Sequence, residues 1–272
     1  MNLQKVFWGS LLVSCGWACT TTRHTAAVPG LYPDGPLWAA LWQQRSGEYK
    51  ALCFQAYRLA ASRLDALLVQ GQGGHPAIVT DIDETILDNS PATVHDAIRG
   101  RMYTDSAWLR WSALARADTV PGALSFFRYA HSRGVAVYYV SNRTEAERSV
   151  TLDNLHKWGF PDADNAHLLL KDASSDKTGR RSKVAEDHTI LLLVGDNLSD
   201  FSAVFHRDYD ERNSLVIREA ARFGKDYIIL PNPMYGDWEG ALFGYRYGLS
   251  VAHKDSLMRA ALRDYSGDGG SH

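Results

Sequence analysis

Cysteine is scarce in this chain: three residues in 272 cannot build a disulfide framework, so the fold must rest on a packed core. Two of them, Cys15 and Cys19, lie near the amino terminus, and Cys53 reads as a small buried hydrophobe. Excess charge is also lacking. The formal net charge of -2 excludes a global positive field that would recruit a nucleic-acid polymer or an anionic membrane, so any anion site must be local. Ten histidines show no metal-ligand spacing. No internal repeat is present, and the only low-complexity stretch is the glycine-rich tail over 267–271. What remains is a chain with 45% hydrophobic residues, enough for one sizeable core.

Residues 1–19 do not read as part of that core. Lys5 supplies a positive start, and Val6 to Ser14 is an apolar run too short to span a bilayer, the pattern of a secretion leader. Leu12-Val-Ser-Cys15 resembles a bacterial lipobox, with lipid attachment at Cys15 expected and ordinary signal cleavage the alternative. Residues 20–36 are polar and then punctuated by Pro33, Gly35 and Pro36, a tether. A disulfide between Cys19 and Cys53 has no support from spacing.

From Leu37 to Leu68, Tyr49, Leu52, Ala56, Leu59, Ala60 and Leu67 recur at helical spacing, with a break near Gln44 to Gly47, so two helices or one broken helix are expected. Five β-type runs follow: Ala77–Thr80, Val135–Val140, Ala166–Leu170, Thr189–Val194 and Tyr227–Leu230. Most are separated by helical stretches, which predicts an α/β fold, a Rossmann-like parallel sheet with helices on both faces. The connection from Leu87 to Thr119 is long and aromatic, and it reads as a cap inserted near the mouth of a site.

Chemistry-bearing residues fall at the ends of these strands. Asp81-Ile-Asp83 follows the first, and alternation of side chains predicts that both carboxylates project into a crevice at the carboxyl edge of the sheet. Two anions that close need a cation or a shared proton, and Mg2+ suits oxygen ligands and a phosphate. Ser141-Asn-Arg143 after the second strand offers a hydroxyl and backbone N–H groups at a helix entrance. Lys171 and Lys177 follow the third strand, and Asp196 and Asp200 follow the fourth.

In that order, Asp81-Ile-Asp-Glu-Thr-Ile-Leu-Asp-Asn-Ser90, Val140-Ser-Asn-Arg143, Val194-Gly-Asp-Asn-Leu-Ser-Asp200 and Asn232-Pro-Met-Tyr-Gly-Asp-Trp-Glu-Gly240 resemble the haloacid dehalogenase superfamily, and within it the bacterial class C acid phosphatases. The resemblance runs from Leu37 to Ser256. It implies a Mg2+-dependent acid phosphomonoesterase acting on nucleoside or nicotinamide 5'-monophosphates through an aspartyl-phosphate. Asp81 would be the nucleophile and Asp83 the acid and then the base. Ser141, Asn142 and Lys177 would bind phosphate, with Lys177 fitting the family pattern better than Lys171. Asp81, Asp83 (through its backbone carbonyl), Asp196 and Asp200 would serve the metal. Tyr235, Trp108 and Tyr103 are the aromatic candidates for stacking on a base. Glu84 and Asp88 read as structural, a local pair and a helix cap; Thr85 as a hydrogen bond fixing the nucleophile loop; Arg143 as substrate contact or ion pair.

The resemblance also implies a lipoprotein of the cell envelope, in the outer membrane and facing periplasm or surface. A small phosphate monoester and, through the lipid, a membrane are the expected partners; a homodimer stays open. The boundaries expected are 1–19 for the leader, 20–36 for the tether, 37–262 for the phosphatase domain with its cap over about 87–119, and 263–272 for a flexible tail. The alternatives are a broad-specificity acid phosphatase and a surface binding lipoprotein without turnover. A pure binder, however, needs no nucleophile.

Overall fold

The computed structural model describes residues 30–265 apart from 33, 72 and 73. The leader, Cys15, Cys19, most of the tether and residues 266–272 lie outside the described residues.

Helix α1 (Asp34–Arg45) starts earlier than the sequence reading placed it. Gly35 and Pro36 belong to its first turn, where proline costs no hydrogen bond, and not to the tether. The break falls where expected: Ser46 caps α2 (Gly47–Val69), its hydroxyl accepting from the Tyr49 N–H at 3.1 Å.

The chain then alternates. Strand β1 (Pro76–Thr80) leads into a ribbon strand β2 (Leu87–Asp88), α3 (Ser90–Ala97), α4 (Asp105–Ser112) and β3 (Asp118–Thr119). Helix α5 (Ala123–Ser132), β4 (Ala136–Thr144), α6 (Arg148–Trp158), β5 (Leu168–Lys171), α7 (Thr178–Asp187) and β6 (Thr189–Gly195) follow. Helix α8 (Tyr209–Arg218), β7 (Tyr227–Ile229), α9 (Asp237–Leu242) and α10 (Val251–Ala260) complete it.

The main sheet has five parallel strands in the order β5-β4-β1-β6-β7. From β1 the chain moves outward on one side through β4 to β5, then returns to the other side of β1 with β6. Such a reversal leaves a crevice at the carboxyl ends of β1, β4 and β6, the position where open α/β sheets bind ligands. Alternation along β1 divides the core. Ile78 joins Tyr57, Leu64, Phe126 and Phe127 from α2 and α5 on one face, and Ala77 and Val79 meet Val184 of α7 on the other. A third cluster, Phe201, Phe205, Leu215 and Tyr227, lies beyond β6, with Phe201 stacked on Tyr227 at 4.8 Å.

Residues 87–119 leave the sheet and return through an antiparallel ribbon, with Leu87 opposite Thr119 and Asp88 opposite Asp118; α3 and α4 stand between. Among the described residues no helix is long and apolar enough to cross a membrane.

Candidate active site

The parallel ladder continues one residue past β1, because the Asp81 N–H donates to the Val194 carbonyl at 2.9 Å. The chain then folds back tightly: the N–H groups of Ile86 and Leu87 both donate to the Ile82 carbonyl at 2.9 Å, and Glu84 takes a positive φ of 57°. A non-glycine residue in that region is strained, so the turn must be held from outside. Thr85 does this, its hydroxyl donating to Asp196 at 3.0 Å and its carbonyl accepting from the Tyr57 hydroxyl at 2.6 Å. The loop after β1 is thereby fixed to the loop after β6 and to α2.

Asp81, Asp196 and Asp200 bring carboxylate oxygens within 4.8 Å of one another. Lys177, at the start of α7, donates through Nζ to Asp81 and, at 2.7 Å, to Asp200; all three side chains are buried. Of the two lysine candidates, Lys177 is the one at this cluster; Lys171 ends β5 opposite Thr144. A second Asp200 oxygen accepts from the Asn197 N–H at 2.9 Å, and Arg181 binds the Asp200 carbonyl at 2.9 Å. Gly195 passes so close that a Cβ there would overlap the Asp200 carboxylate. Asp196 accepts from the amides of Asn197 and Asn232, each at 2.8 Å.

Electrostatics within the cluster are uneven. Burial raises the Asp81 carboxyl to about 7, with Lys177 opposing and Asp200 and Asp83 adding to the rise. Asp196 is pushed well above its ordinary value by burial, then by Asp200 and Asp81. At Lys177 burial works against the charge, but Asp200 and Asp81 outweigh it and hold the ammonium above its ordinary value. Three carboxylates against one ammonium form a hard oxygen site still short of positive charge, which fits a divalent cation.

In EDTA the stability of the protein should depend on pH. Asp81, Asp196 and the buried Glu84 all have raised values, so between about pH 4 and pH 7 the folded chain binds more protons than the unfolded one, and stability falls as pH rises through that window. Thermal melting at pH 5 and pH 7.5 is expected to give the higher midpoint at pH 5. Added divalent cation should narrow the gap. A higher midpoint at pH 7.5 in EDTA would contradict the carboxylate environment described.

Asp83 does not join the three carboxylates. The strand ends at Thr80, so the alternation that predicted a shared direction for Asp81 and Asp83 no longer applies to the turn. The Asp83 carboxylate instead receives a fork from buried Arg143, at 2.7 Å from Nη2 to Oδ1 and 3.1 Å from Nε to Oδ2. Asn89 Nδ2 donates to Asp83 Oδ1 at 2.8 Å. Arg143 is therefore an ion-pair partner.

Ser141 is fully buried, and its hydroxyl accepts from the Arg143 N–H at 3.1 Å. It is not at a helix entrance: β4 runs on to Thr144, and a 3-10 turn over Glu145–Glu147 precedes α6. Asn142 is exposed and its side-chain oxygen accepts from Arg180 at 2.8 Å; Arg180 also binds the Ser141 carbonyl. Sequence reasoning missed Arg180, Asn89, Asn197 and Asn232 as individual site residues. Asn197 and Asn232 could have been found from their motifs, whereas an arginine on a helix carries no such signal.

Glu84 is buried, accepting from the Asn89 N–H at 2.6 Å and from the Tyr235 hydroxyl; burial, reinforced by Asp83 and Asp196, raises its carboxyl well above the ordinary value. Asp88 accepts from the Ser90 N–H and from Gln43, each at 2.8 Å, at the start of α3. Of the stacking candidates, Tyr103 is 67% exposed. Tyr235 is half-buried and tied to Glu84. Trp108 has Arg143 over its ring at 5.5 Å and donates to Glu147 at 2.8 Å.

Residues 36–238 match the model of a family described as HAD superfamily, subfamily IIIB (Acid phosphatase). Among solved structures, the class C acid phosphatase from Bacillus anthracis superposes with a TM-score of 0.83 at 42% identity, covering 86% of this chain and 98% of that one. The same enzyme with tungstate bound gives the same figures. Acid phosphatase 1 of Solanum lycopersicum is 27% identical over 176 residues, 61% of this chain, and the stem 31 kDa glycoprotein of Glycine max is 26% identical over 160 residues, 57% of this chain. The matched regions span 60% and 57% of those two plant proteins.

Proposed function

The chain belongs to subfamily IIIB of the HAD superfamily, the acid phosphatases, and from that premise we propose that it is a Mg2+-dependent phosphomonoesterase that cleaves nucleoside or nicotinamide 5'-monophosphates through an aspartyl-phosphate. The observation that carries the reading is the buried Asp81 carboxylate at the switch point of the sheet, held by Lys177 beside Asp196 and Asp200. A phosphoryl group needs a nucleophile in line and neutralised oxygens more than it needs further covalent help. A relative at 42% identity with tungstate bound, a tetrahedral oxyanion like phosphate, is consistent with such a site.

In the first step an Asp81 oxygen forms a bond to phosphorus while the ester P–O bond breaks, and Asp83 gives its proton to the leaving alkoxide. In the second, Asp83 takes a proton from water as the water oxygen attacks the acyl phosphate, releasing phosphate and restoring Asp81. Lys177, the Ser141 hydroxyl and Asn142 bind phosphoryl oxygens through both steps. Asp81, Asp196, Asp200 and the Asp83 carbonyl would hold Mg2+, which when bound neutralises phosphoryl charge. Tyr235, favoured by its motif, and Tyr103 would take a base or nicotinamide ring, each such contact contributing about 1 to 3 kcal/mol. Trp108 is less available, since Arg143 covers one face of its ring. Lipid at Cys15 would tether the enzyme in the cell envelope, where removing phosphate turns an impermeant anion into a transportable nucleoside.

Phosphate release from nicotinamide mononucleotide, 5'-AMP, a 3'-nucleotide and an aryl phosphate at mildly acidic pH, with Mg2+ or EDTA, tests this. Metal-dependent turnover favouring the 5'-nucleotides is expected. Equal rates on all esters would reduce the substrate claim to a broad phosphatase, and no turnover by folded, metal-loaded protein would overturn the enzyme.

A further inference from the structure

Two paths, one of hydrogen bonds and one through a cation–ring contact, run from the cap helix α4 to the same carboxylate. In one, the Trp111 indole N–H donates to Asn89 Oδ1 at 2.8 Å, and Asn89 Nδ2 donates to Asp83 Oδ1 at 2.8 Å. An indole N–H can only donate, so it fixes which end of the amide faces it and turns the NH2 end toward Asp83 and Glu84. Asn89 is 1% exposed, with its backbone N–H on Glu84 and its amide also reaching the Leu87 carbonyl at 3.3 Å. In the other path, Trp108 lies against the Arg143 guanidinium, whose remaining arm donates to Thr151 at 3.1 Å and whose fork holds Asp83. The Trp108 N–H is itself fixed on Glu147, which also accepts from the N–H and hydroxyl of Thr144 at 2.8 and 2.9 Å.

The two tryptophans are three positions apart on α4, which places them on neighbouring points of one helix face. Trp111 spends its N–H on Asn89, which grips Asp83; Trp108 lays its ring against Arg143, which grips Asp83, and is anchored there by its N–H on Glu147. We propose that Trp108 and Trp111 are positioning residues: α4 sets the direction of the Asp83 carboxylate, and through it proton delivery to the leaving group. This rests on the two-step reading above and adds a role to the cap beyond that of covering the site.

The test uses leaving groups. The kcat/KM value reports events up to departure of the leaving group. An alkoxide must be protonated as it departs, whereas a dinitrophenolate departs without a proton, so a misdirected Asp83 affects the first ester and spares the second. Trp111→Phe and Trp108→Phe keep an aromatic ring and remove the N–H. Misplacement of a catalytic group by a fraction of an ångström to 1 Å costs up to about 100-fold, so each variant should lose about tenfold or more in kcat/KM on 5'-AMP and much less on dinitrophenyl phosphate. Loss shared equally between the esters, or no loss on either, overturns the positioning role. Wild type turning over neither ester instead overturns the phosphatase reading. Thermal melting identifies a variant that does not fold; Trp108→Phe and Trp111→Phe, both at half-buried positions, interrogate separate paths, so one folded variant suffices.

Discussion

Asp81→Asn is expected to abolish phosphate release, by about a thousandfold or more in kcat, while leaving the fold at least as stable as wild type at pH 7 in EDTA. The kinetic half follows from chemistry: an amide keeps the shape of the carboxylate but does not attack phosphorus. The stability half follows from burial. Asp81 is raised to about 7 because burial outweighs the ammonium beside it, so its ionised form is a burden on the folded state near neutral pH. An amide removes that burden and still accepts a hydrogen bond from Lys177. Phosphate release combined with thermal melting reads both halves. Wild-type turnover in the variant would place the nucleophile elsewhere, and a large drop in melting temperature would mean that the Asp81–Lys177 pair contributes more than the burial suggests.

How much of this was legible beforehand follows the reach of local rules. The parallel sheet and its strand ends were readable, because β-type runs bounded by turn residues and separated by helical stretches admit few topologies. Once β1, β4 and β6 are neighbours, Asp81, Ser141 and Asp196 must share an edge. The break between α1 and α2 was readable from Ser46 and Gly47. Legibility stopped where the strand did. Asp83 lies in a tight turn with Glu84 at positive φ, where alternation says nothing about side-chain direction, and its partner Arg143 is 60 residues away. Length also misled: β4 extends through Ser141 to Thr144, so the residues taken for a helix entrance are still extended strand. The aromatic cap suggested stacking surfaces, but a sequence does not reveal that the indole N–H groups of Trp108 and Trp111 are committed to Glu147 and Asn89.

Lys177→Met should be the mirror image of Asp81→Asn, damaging both stability and turnover. The ammonium is held above its ordinary value by Asp200 and Asp81, so its contribution is complete at pH 7 and is lost only as pH climbs through that raised value. Removing it leaves two buried carboxylates without their cation, and breaking a buried pair from one side costs about 3 to 5 kcal/mol. For a chain of this size that is roughly 6 to 20 °C in melting temperature. The loss should shrink at pH 5, where the carboxylates can take up protons in place of the ammonium. A divalent cation at the same three carboxylates would supply the missing charge, so metal should raise the melting temperature of the variant more than that of wild type. Activity should not return with stability, because the cation would not stand where the proposed mechanism has the lysine bind phosphoryl oxygens. Melting of both proteins in EDTA and in Mg2+ at two pH values decides the matter. A variant that melts within a degree of wild type at pH 7 in EDTA would show that Asp81 and Asp200 do not depend on Lys177, and the charge balance on which the metal site rests would fail with it.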